Sequence, residues 1–511
     1  MTIASRRQIA RSAGLVSLLF AASRVLGLLR EAVVAARLGT GAELDAYLAA
    51  FRVPDLIFYL VAGGALASAF IPTFTARLAQ ENDPTHAQAW RLASSVTNVV
   101  LVATTVLAVL AALLARPLVS HIIAPGFSPE QQALTVQLMT IMLLAPIIFS
   151  ISGIVMGILN SFHHFLAPAL APLLYNLMIL LGAWFLVPSL GVYGLALGVV
   201  AGALAHLLVQ VPALLRRGPR YTAMFGLNNP DVREVGRLMG PRMLGLGAVQ
   251  LNFIVNASLA SHLGEGPISA LNYAWLLMLL PQGIIAQGIA TALFPTFSAQ
   301  VAQGQLTALR STLNTVLRAV IWVTLPATVG LFLLRVPIIE VALQRGEFTA
   351  TSTTMTAYAL SFYALGLMAH SLLEVLTRVF YALHDTWTPV KIGVGAMLVN
   401  LLLSLLLIRP LSFGGLALAN TVATTLETLA LLWLIRPKLG SLGGRRLLES
   451  LGRALPGAAA MAVALVFFLR AAAGWSPLLI AGGGVALGMV VFALFALLLG
   501  RKELLPLLRR G

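Results

Sequence analysis

The chain contains no cysteine in 511 residues, which excludes disulfides, thiolate-ligated metals and any cysteine nucleophile. Charge is scarce as well: Asp, Glu, Lys and Arg make up 10% of the sequence, and acidic residues number 17 against 33 basic ones. The eight histidines are scattered with no HExxH pair, and His163-His164 falls in a short polar turn, so no metal centre is expected. No cofactor-binding motif is present, and none is expected. What remains is apolar, at 59% hydrophobic residues and a mean hydropathy of +0.93. A water-soluble core cannot hide that much apolar side chain, so the chain reads as a polytopic membrane protein.

Apolar runs of about 20 residues cross a hydrocarbon layer as helices. Fourteen such runs can be traced, from 12–36 and 45–73 through 389–408 and 414–435 to 453–469 and 477–499. None shows the short alternating pattern of membrane strands, which leaves an all-α architecture. The basic, then apolar, start lacks a small-residue cleavage pattern and is interrupted by Arg24, so it reads as an uncleaved first helix.

With fourteen spans, most Lys and Arg residues fall at the two termini and in every second loop. The opposite loops hold only Arg37, Arg116, Arg335, Arg345, Arg409 and Arg470. The positive-inside rule then places both termini in the cytoplasm, and the basic excess needs no nucleic acid to explain it.

Sliding the chain along itself by about 222 residues reveals a repeat. "AGGALASAFIPTFTARLAQ" (62–80) echoes "AQGIATALFPTFSAQVAQ" (286–303), pairing Pro72 with Pro295. "APGF" ending at Phe127 matches "RGEF" ending at Phe348, and "NSFHHFLAP" ending at Pro168 matches "YALHDTWTP" ending at Pro389. Three matches in order at nearly one offset indicate duplication. The expected organisation is an N-lobe of six helices (1–217), a C-lobe of six (218–438), and helices 13 and 14 with a basic tail (439–511). Two parallel lobes are the plan of transporters that rock around a central site, although duplication can also simply enlarge a bundle.

Arg24, Arg30 and Arg52 lie inside apolar runs, where facing lipid would cost about 2.5–3.5 kcal/mol each. They must therefore meet water, a counter-charge or a substrate. Ser17, Arg24 and Glu31 are seven apart on one helix face, and Asp45, Arg52 and Tyr59 repeat that spacing. Two readings fit: a cationic, hydrated cavity suited to a diphosphate, or internal ion pairs such as Arg24–Glu31 and Arg52 with Asp45 or Asp55. Arg30 and Arg37 could also extend to the interface.

In the second half His370, Glu374 and Arg378 follow i, i+4, i+8, a pattern suited to packing or to ion coupling. Asn256, Asn400, Ser404 and Thr424 offer neutral oxygens for a candidate cation site.

The stretch "SRVLGLLREAVVAARLGTGAELDAYLAAFRVPDLIFYLVAGGALASAFIPTF" resembles the N-terminal signature of the MurJ (MviN) lipid II flippases, of the multidrug/oligosaccharidyl-lipid/polysaccharide exporter superfamily. The resemblance continues in order through "APGF", "GILNSFHHFLAPALAPLLYN", "GPRMLG", "ALFPTFS", "GEFT" and "FYALHDTWTPVKI", covering nearly the whole chain. It implies a multi-pass cytoplasmic-membrane flippase that carries the undecaprenyl-diphosphate-linked peptidoglycan precursor, lipid II, from inner to outer leaflet. By the same resemblance Arg24, Arg30 and Arg52 are headgroup ligands, Glu31 is the acidic neighbour of Arg30, and Asp45 is a conformational partner. Membrane potential or a coupling cation would drive the cycle; oligomeric state is left open.

Departures from the family pattern are specific. Trp275 and Leu276 stand where an acidic–Arg pair is usual before the helix 8 proline. Phe58, Tyr59 and Gly63 replace polar residues in helix 2, and Asn256 stands where an Asp is frequent. These departures keep open a different lipid-linked oligosaccharide as substrate, or a transport-inactive cell-wall scaffold. A membrane glycan polymerase or ligase is the enzymatic alternative, but the longest outer loops, about 116–130 and 335–351, are short for one.

Overall fold

The computed structural model describes residues 3–62, 64–80 and 85–499. The side chains of residues 3–17, 20, 62, 64–68, 241, 242, 244, 245 and 248 lie outside the description, and that of Ser17 is among them. The described residues form helices and no strand. Ten stretches among them are long and apolar enough to cross a membrane. The runs expected at 12–36, 45–73 and 232–262 each include residues outside the side-chain description.

The first half comprises α1 (Ile3–Leu38), α2 (Ala42–Ala50), α3 (Arg52–Ile57), α4 (Gly64–Gln80), α5 (Ala87–Leu113), α6 (Ala115–Leu118), α7 (Pro129–Met142), α8 (Leu144–Ser161), α9 (Leu166–Leu181), α10 (Val187–Leu190), α11 (Tyr193–Leu208) and α12 (Val211–Leu215). The second comprises α13 (Pro230–Ser261), α14 (Pro267–Gln282), α15 (Gly288–Ala302), α16 (Leu306–Leu333), α17 (Arg335–Ala342), α18 (Ala350–Ala382), α19 (Trp387–Leu434), α20 (Arg436–Leu439), α21 (Gly444–Ala471) and α22 (Pro477–Leu499).

Local chemistry explains several boundaries. Ser128 and Asn229 cap α7 and α13 by accepting the backbone N–H groups of Gln131 and Asp231, and a proline follows each cap. The expected single span at 45–73 is instead divided into α2, α3, a wider π turn at Phe58–Ala62, and α4. Pro54 supplies no N–H to the preceding turn, which loosens the helix just before that turn. The expected spans 389–408 and 414–435 join as α19, sharply kinked where Ser412 adopts φ 49°.

The chain separates into two compact units. The first runs to Ile268 and also takes in Gly346–Phe348; the second holds Ser269–Arg345 and the chain from Thr349 onward. Helix α13 packs in the first unit: its Val232, Val235 and Met239 close a core built on Phe70, Phe74 and Trp90. In the second unit, Leu313 and Val316 of α16 pack with Val375 and Phe380 of α18 and Leu431 of α19. A further core joins Trp322 to Met461 of α21 and Phe492 of α22, and the Trp322 indole donates to Ser450 Oγ at 3.0 Å.

The sequence repeat has a structural counterpart within each unit. α8 and α18 both end in a left-handed histidine, His163 at φ 56° and His384 at φ 57°. The following amides close the same wide turn: His164 N–H donates to Leu159 O, and Asp385 N–H to Phe380 O. Pro72 and Pro295 likewise both lie inside helices, α4 and α15.

The three residues Gly346–Phe348 join the first unit through backbone contacts. Glu347 N–H donates to Ala36 O at 2.9 Å, and Gly39 and Gly346 hold φ 60° and φ 56°. A Cβ on Gly39 would collide with the Glu347 carbonyl, and one on Gly346 with the Ala36 carbonyl, so both positions require glycine.

Candidate functional site

The first unit gathers the charges of α1 to α3 against α9. Arg30 Nη1 donates to Asn176 Oδ1 at 2.9 Å, and its Nη2 pairs with Glu31. Asn176 Nδ2 in turn donates to Ser23 Oγ at 3.3 Å. Gly27, between Ser23 and Arg30, leaves room for the Asn176 amide. Tyr47 and Tyr175 lie within electrostatic reach of Arg30, and Asp55 lies within reach of both Arg52 and Arg30. The Arg52 guanidinium sits 5.3 Å from the centroid of the Phe253 ring, a cation–π contact with α13.

Glu31, one of the two residues of the expected pair Arg24–Glu31, pairs with its neighbour Arg30. Sharing a helix face brings Cβ atoms into line, but the packing of α9 decides which guanidinium bends toward the carboxylate. Asn176 and Glu31 hold the Arg30 guanidinium against α9. Arg24 is exposed on α1. Arg37 lies 5.4 Å from the Trp184 ring centroid and donates to Trp184 O at 3.3 Å.

Asp45 is fully buried, and its carboxylate accepts the Gly266 N–H at 2.7 Å. It therefore ties α2 to the turn that precedes Pro267. Sequence reasoning did not anticipate Gly266, nor did it anticipate Asn176, Tyr175, Tyr47 or Phe253. The one usable signal was "LLYNLMILL", where Tyr175-Asn176 interrupts an otherwise apolar run.

The second unit is built from weaker or neutral polar contacts. Glu374 and Arg378 pair at 3.0 Å within α18, as their spacing predicts. His370 leaves that line and meets Asn420 Oδ1 at 3.2 Å instead. Trp275, at one of the departures from the family pattern, places its ring 5.3 Å from both the His370 and the Tyr363 rings. Asn400 and Ser404 lie one turn apart on α19, both buried, and their side chains have no hydrogen-bond partner among the described residues. Thr424, on the later part of α19, is also buried, and Asn256 of the first unit has an unpartnered Oδ1. Unsatisfied buried oxygens are the groups a small cation would occupy.

Outside the spans, Asp385 accepts from Thr388 N–H at 3.0 Å and Thr388 Oγ1 at 2.6 Å, and pairs with Lys438 at 2.9 Å. Burial alone would raise its pKa, but the Thr388 hydrogen bonds and the Lys438 ammonium outweigh that and hold it at about 2. His164 is pushed below its ordinary value by burial and by the Arg217 and Arg216 charges. Among the described residues no group of three or more His, Asp or Glu could hold a metal ion.

Long apolar helices, with Arg30 held by Glu31 and Asn176 between α1 and α9, define a polytopic, all-helical membrane protein with a polar site inside its first unit. Comparison with known proteins narrows the class. The family profile described as "Lipid II flippase MurJ" matches residues 34–485. A "Probable lipid II flippase MurJ" of Rhizobium tropici is 34% identical over 426 residues, covering 80% of this chain and 77% of that protein. A "Lipid II flippase MurJ" of Burkholderia cenocepacia is 32% identical over 420 residues, covering 80% of each. A solved structure titled "Lipid II flippase MurJ, inward closed conformation" superposes with a TM-score of 0.82 at 24% identity, covering 96% of this chain and 99% of that one. The chain belongs to the lipid II flippase MurJ family.

Proposed function

We propose that this chain moves lipid II, an undecaprenyl-diphosphate-linked glycopeptide, from the inner to the outer leaflet by alternating access. In this reading it spans the cytoplasmic membrane fourteen times with both termini inside, and residues 1–217 and 218–438 are its two lobes. The observation that carries the proposal is the Arg30 cluster. Its guanidinium is pre-oriented by Asn176 and Glu31, with Arg52 and Asp55 in the same electrostatic neighbourhood. An arginine already immobilised loses little freedom when a diphosphate exchanges for part of its hydrogen bonding, and its planar fork matches phosphate oxygens. Arg24 and Arg52 complete the set of headgroup ligands. Ser17, Glu31, Asp45 and Asp55 tune or couple them, with Glu374 and Arg378 as the polar pair of the other lobe.

Asn400, Ser404 and Thr424 of the second unit are the candidate coupling-cation ligands, favoured by the orphaned oxygens of Asn400 and Ser404; Asn256, with its own orphaned oxygen, is a separate candidate in the first unit. A second substrate reading, another undecaprenyl-diphosphate oligosaccharide, is favoured by Trp275 and Leu276. There an aromatic and an aliphatic side chain stand where the family pattern expects a charged pair.

The test is a proteoliposome assay with labelled lipid II and other undecaprenyl-diphosphate sugars, with and without an imposed potential and sodium gradient. Lipid II is expected to move, and Arg24→Ala, Arg30→Ala and Arg52→Ala each to stop it while the protein still inserts. Movement of none of the lipids refutes the flippase assignment, and transport-competent arginine variants refute the site.

A further inference from the structure

Carboxylates within the apolar helices generally have a charge or an N–H group to meet. Glu31 pairs with Arg30, Glu374 pairs with Arg378, Asp45 accepts from Gly266, and Asp55 lies near Arg52 and Arg30. Glu427 on α19 does not fit this pattern. It is half-buried in the second unit and makes no hydrogen bond or ion pair among the described residues.

Its surroundings explain why the position is kept open but not neutralised. Across the kink of α19, Gly393 faces the carboxylate, and a Cβ there would come 3.3 Å from Glu427 Oε1. The absence of a side chain at 393 leaves space for the Glu427 headgroup without supplying a donor. From α18, Tyr381 lies within electrostatic reach of Glu427, while the Arg378 charge is already committed to Glu374 and the His370 ring to Asn420. On α19 itself Lys391 is exposed, and at α20 Lys438 is held by Asp385 while Arg436 is exposed.

An ionised carboxylate without a cation is costly in hydrocarbon, and binding one proton removes that cost. A proton needs only the carboxylate, whereas a metal cation at Glu427 would have to draw its further ligands from neutral oxygens, since Glu427 belongs to no group of three or more His, Asp or Glu among the described residues.

We propose that Glu427 is a proton-binding site of the second unit, which takes up and releases a proton as the transporter changes conformation. The coupling half of this statement rests on the transport reading above; the binding of the proton does not. Chemically the step is a single reversible protonation, carboxylate plus proton to carboxylic acid, with water on either side as source and sink.

The experiment uses the full chain in lipid bilayers. Infrared spectroscopy across a pH titration is compared for wild type and Glu427→Gln, alongside transport of labelled lipid II under an imposed pH gradient. The expected result is a protonated-carboxyl band that titrates in wild type and is absent from E427Q. Wild-type transport should change several-fold with the gradient, whereas E427Q transport should be insensitive to it. Should E427Q fail to insert, Gly393→Ala takes its place: crowding the carboxylate should shift the midpoint of the same band. A band unchanged by both substitutions overturns the site. An E427Q pH profile identical to wild type, in protein that does transport, overturns the coupling while leaving the flippase reading intact. If wild type moves no lipid at all, the flippase reading fails, and the infrared band still decides whether Glu427 holds the proton.

Discussion

The two units solve the problem of polar groups in a membrane differently. In the first, Arg30, Glu31, Asn176 and Ser23 form a chain of contacts between two helices, with Asp45 anchoring a distant turn. In the second, the ion pair Glu374–Arg378 closes within one helix, and Asn400 and Ser404 remain unpartnered among the described residues. A charge fixed between helices holds those helices in register, whereas a pair within one helix moves with it. Within the long apolar helices, the Arg30 contacts of the first unit tie two helices together, while the Glu374–Arg378 pair of the second stays on one, although the sequence repeat runs through both units.

That contrast can be broken most directly at Arg30. Arg30→Ala leaves Glu31 and Asn176 facing each other without their cation, which should lower stability by about 3 kcal/mol and abolish transport. Removing Glu31 as well should recover most of the stability but not the transport, as read by thermal unfolding in detergent and the proteoliposome assay. The matching change in the second unit, Arg378→Ala, should cost only about 0.5 kcal/mol, because the pair is helical and partly exposed. Equal losses at the two sites would erase the distinction.

Gly346→Ala ranks next. Its Cβ would strike the Ala36 carbonyl at a left-handed backbone position, and a loss of about 2 kcal/mol is expected, with no corresponding loss for Gly474→Ala beyond its backbone strain.

Asp385→Ala should cost about 1–2 kcal/mol at neutral pH, by removing charge-assisted hydrogen bonds. Because the folded pKa lies at about 2, below the ordinary carboxylate value, this stabilisation is complete above about pH 4 and is lost as pH falls through 2. The melting difference between wild type and D385A should shrink over that window. The smallest effect is expected at the exposed pair Arg445–Glu449, where Glu449→Ala should change stability by less than about 0.5 kcal/mol.

The helical architecture was legible in the sequence because apolar length alone decides it. Arg30 and Glu31 were legible as groups that avoid lipid, since their desolvation cost does not depend on detail. Their pairing was not legible, because it turns on Asn176, a neutral residue on a helix far along the chain. The break of the 45–73 run at Pro54 was visible in principle, yet a proline near the start of an apolar run is also compatible with an unbroken helix. Helix α13 shows another limit: the repeat counts it with the second half, whereas its apolar face packs with α4 and α5. Glu427 stood unremarked in "TLETLALLWL" because periodicity supplied no neighbour for it; the approach of Gly393 is visible only once α19 kinks.

The three residues Gly346–Phe348 also bear on biosynthesis. The first unit is not a contiguous piece of chain: it stays incomplete until residue 348 has been made, well beyond Ile268. An N-terminal product released before that point lacks the length of backbone that meets Ala36 and Gly39. The contacts that close the turn at Ala36 and Gly39 are thus completed only when a much later loop has been made.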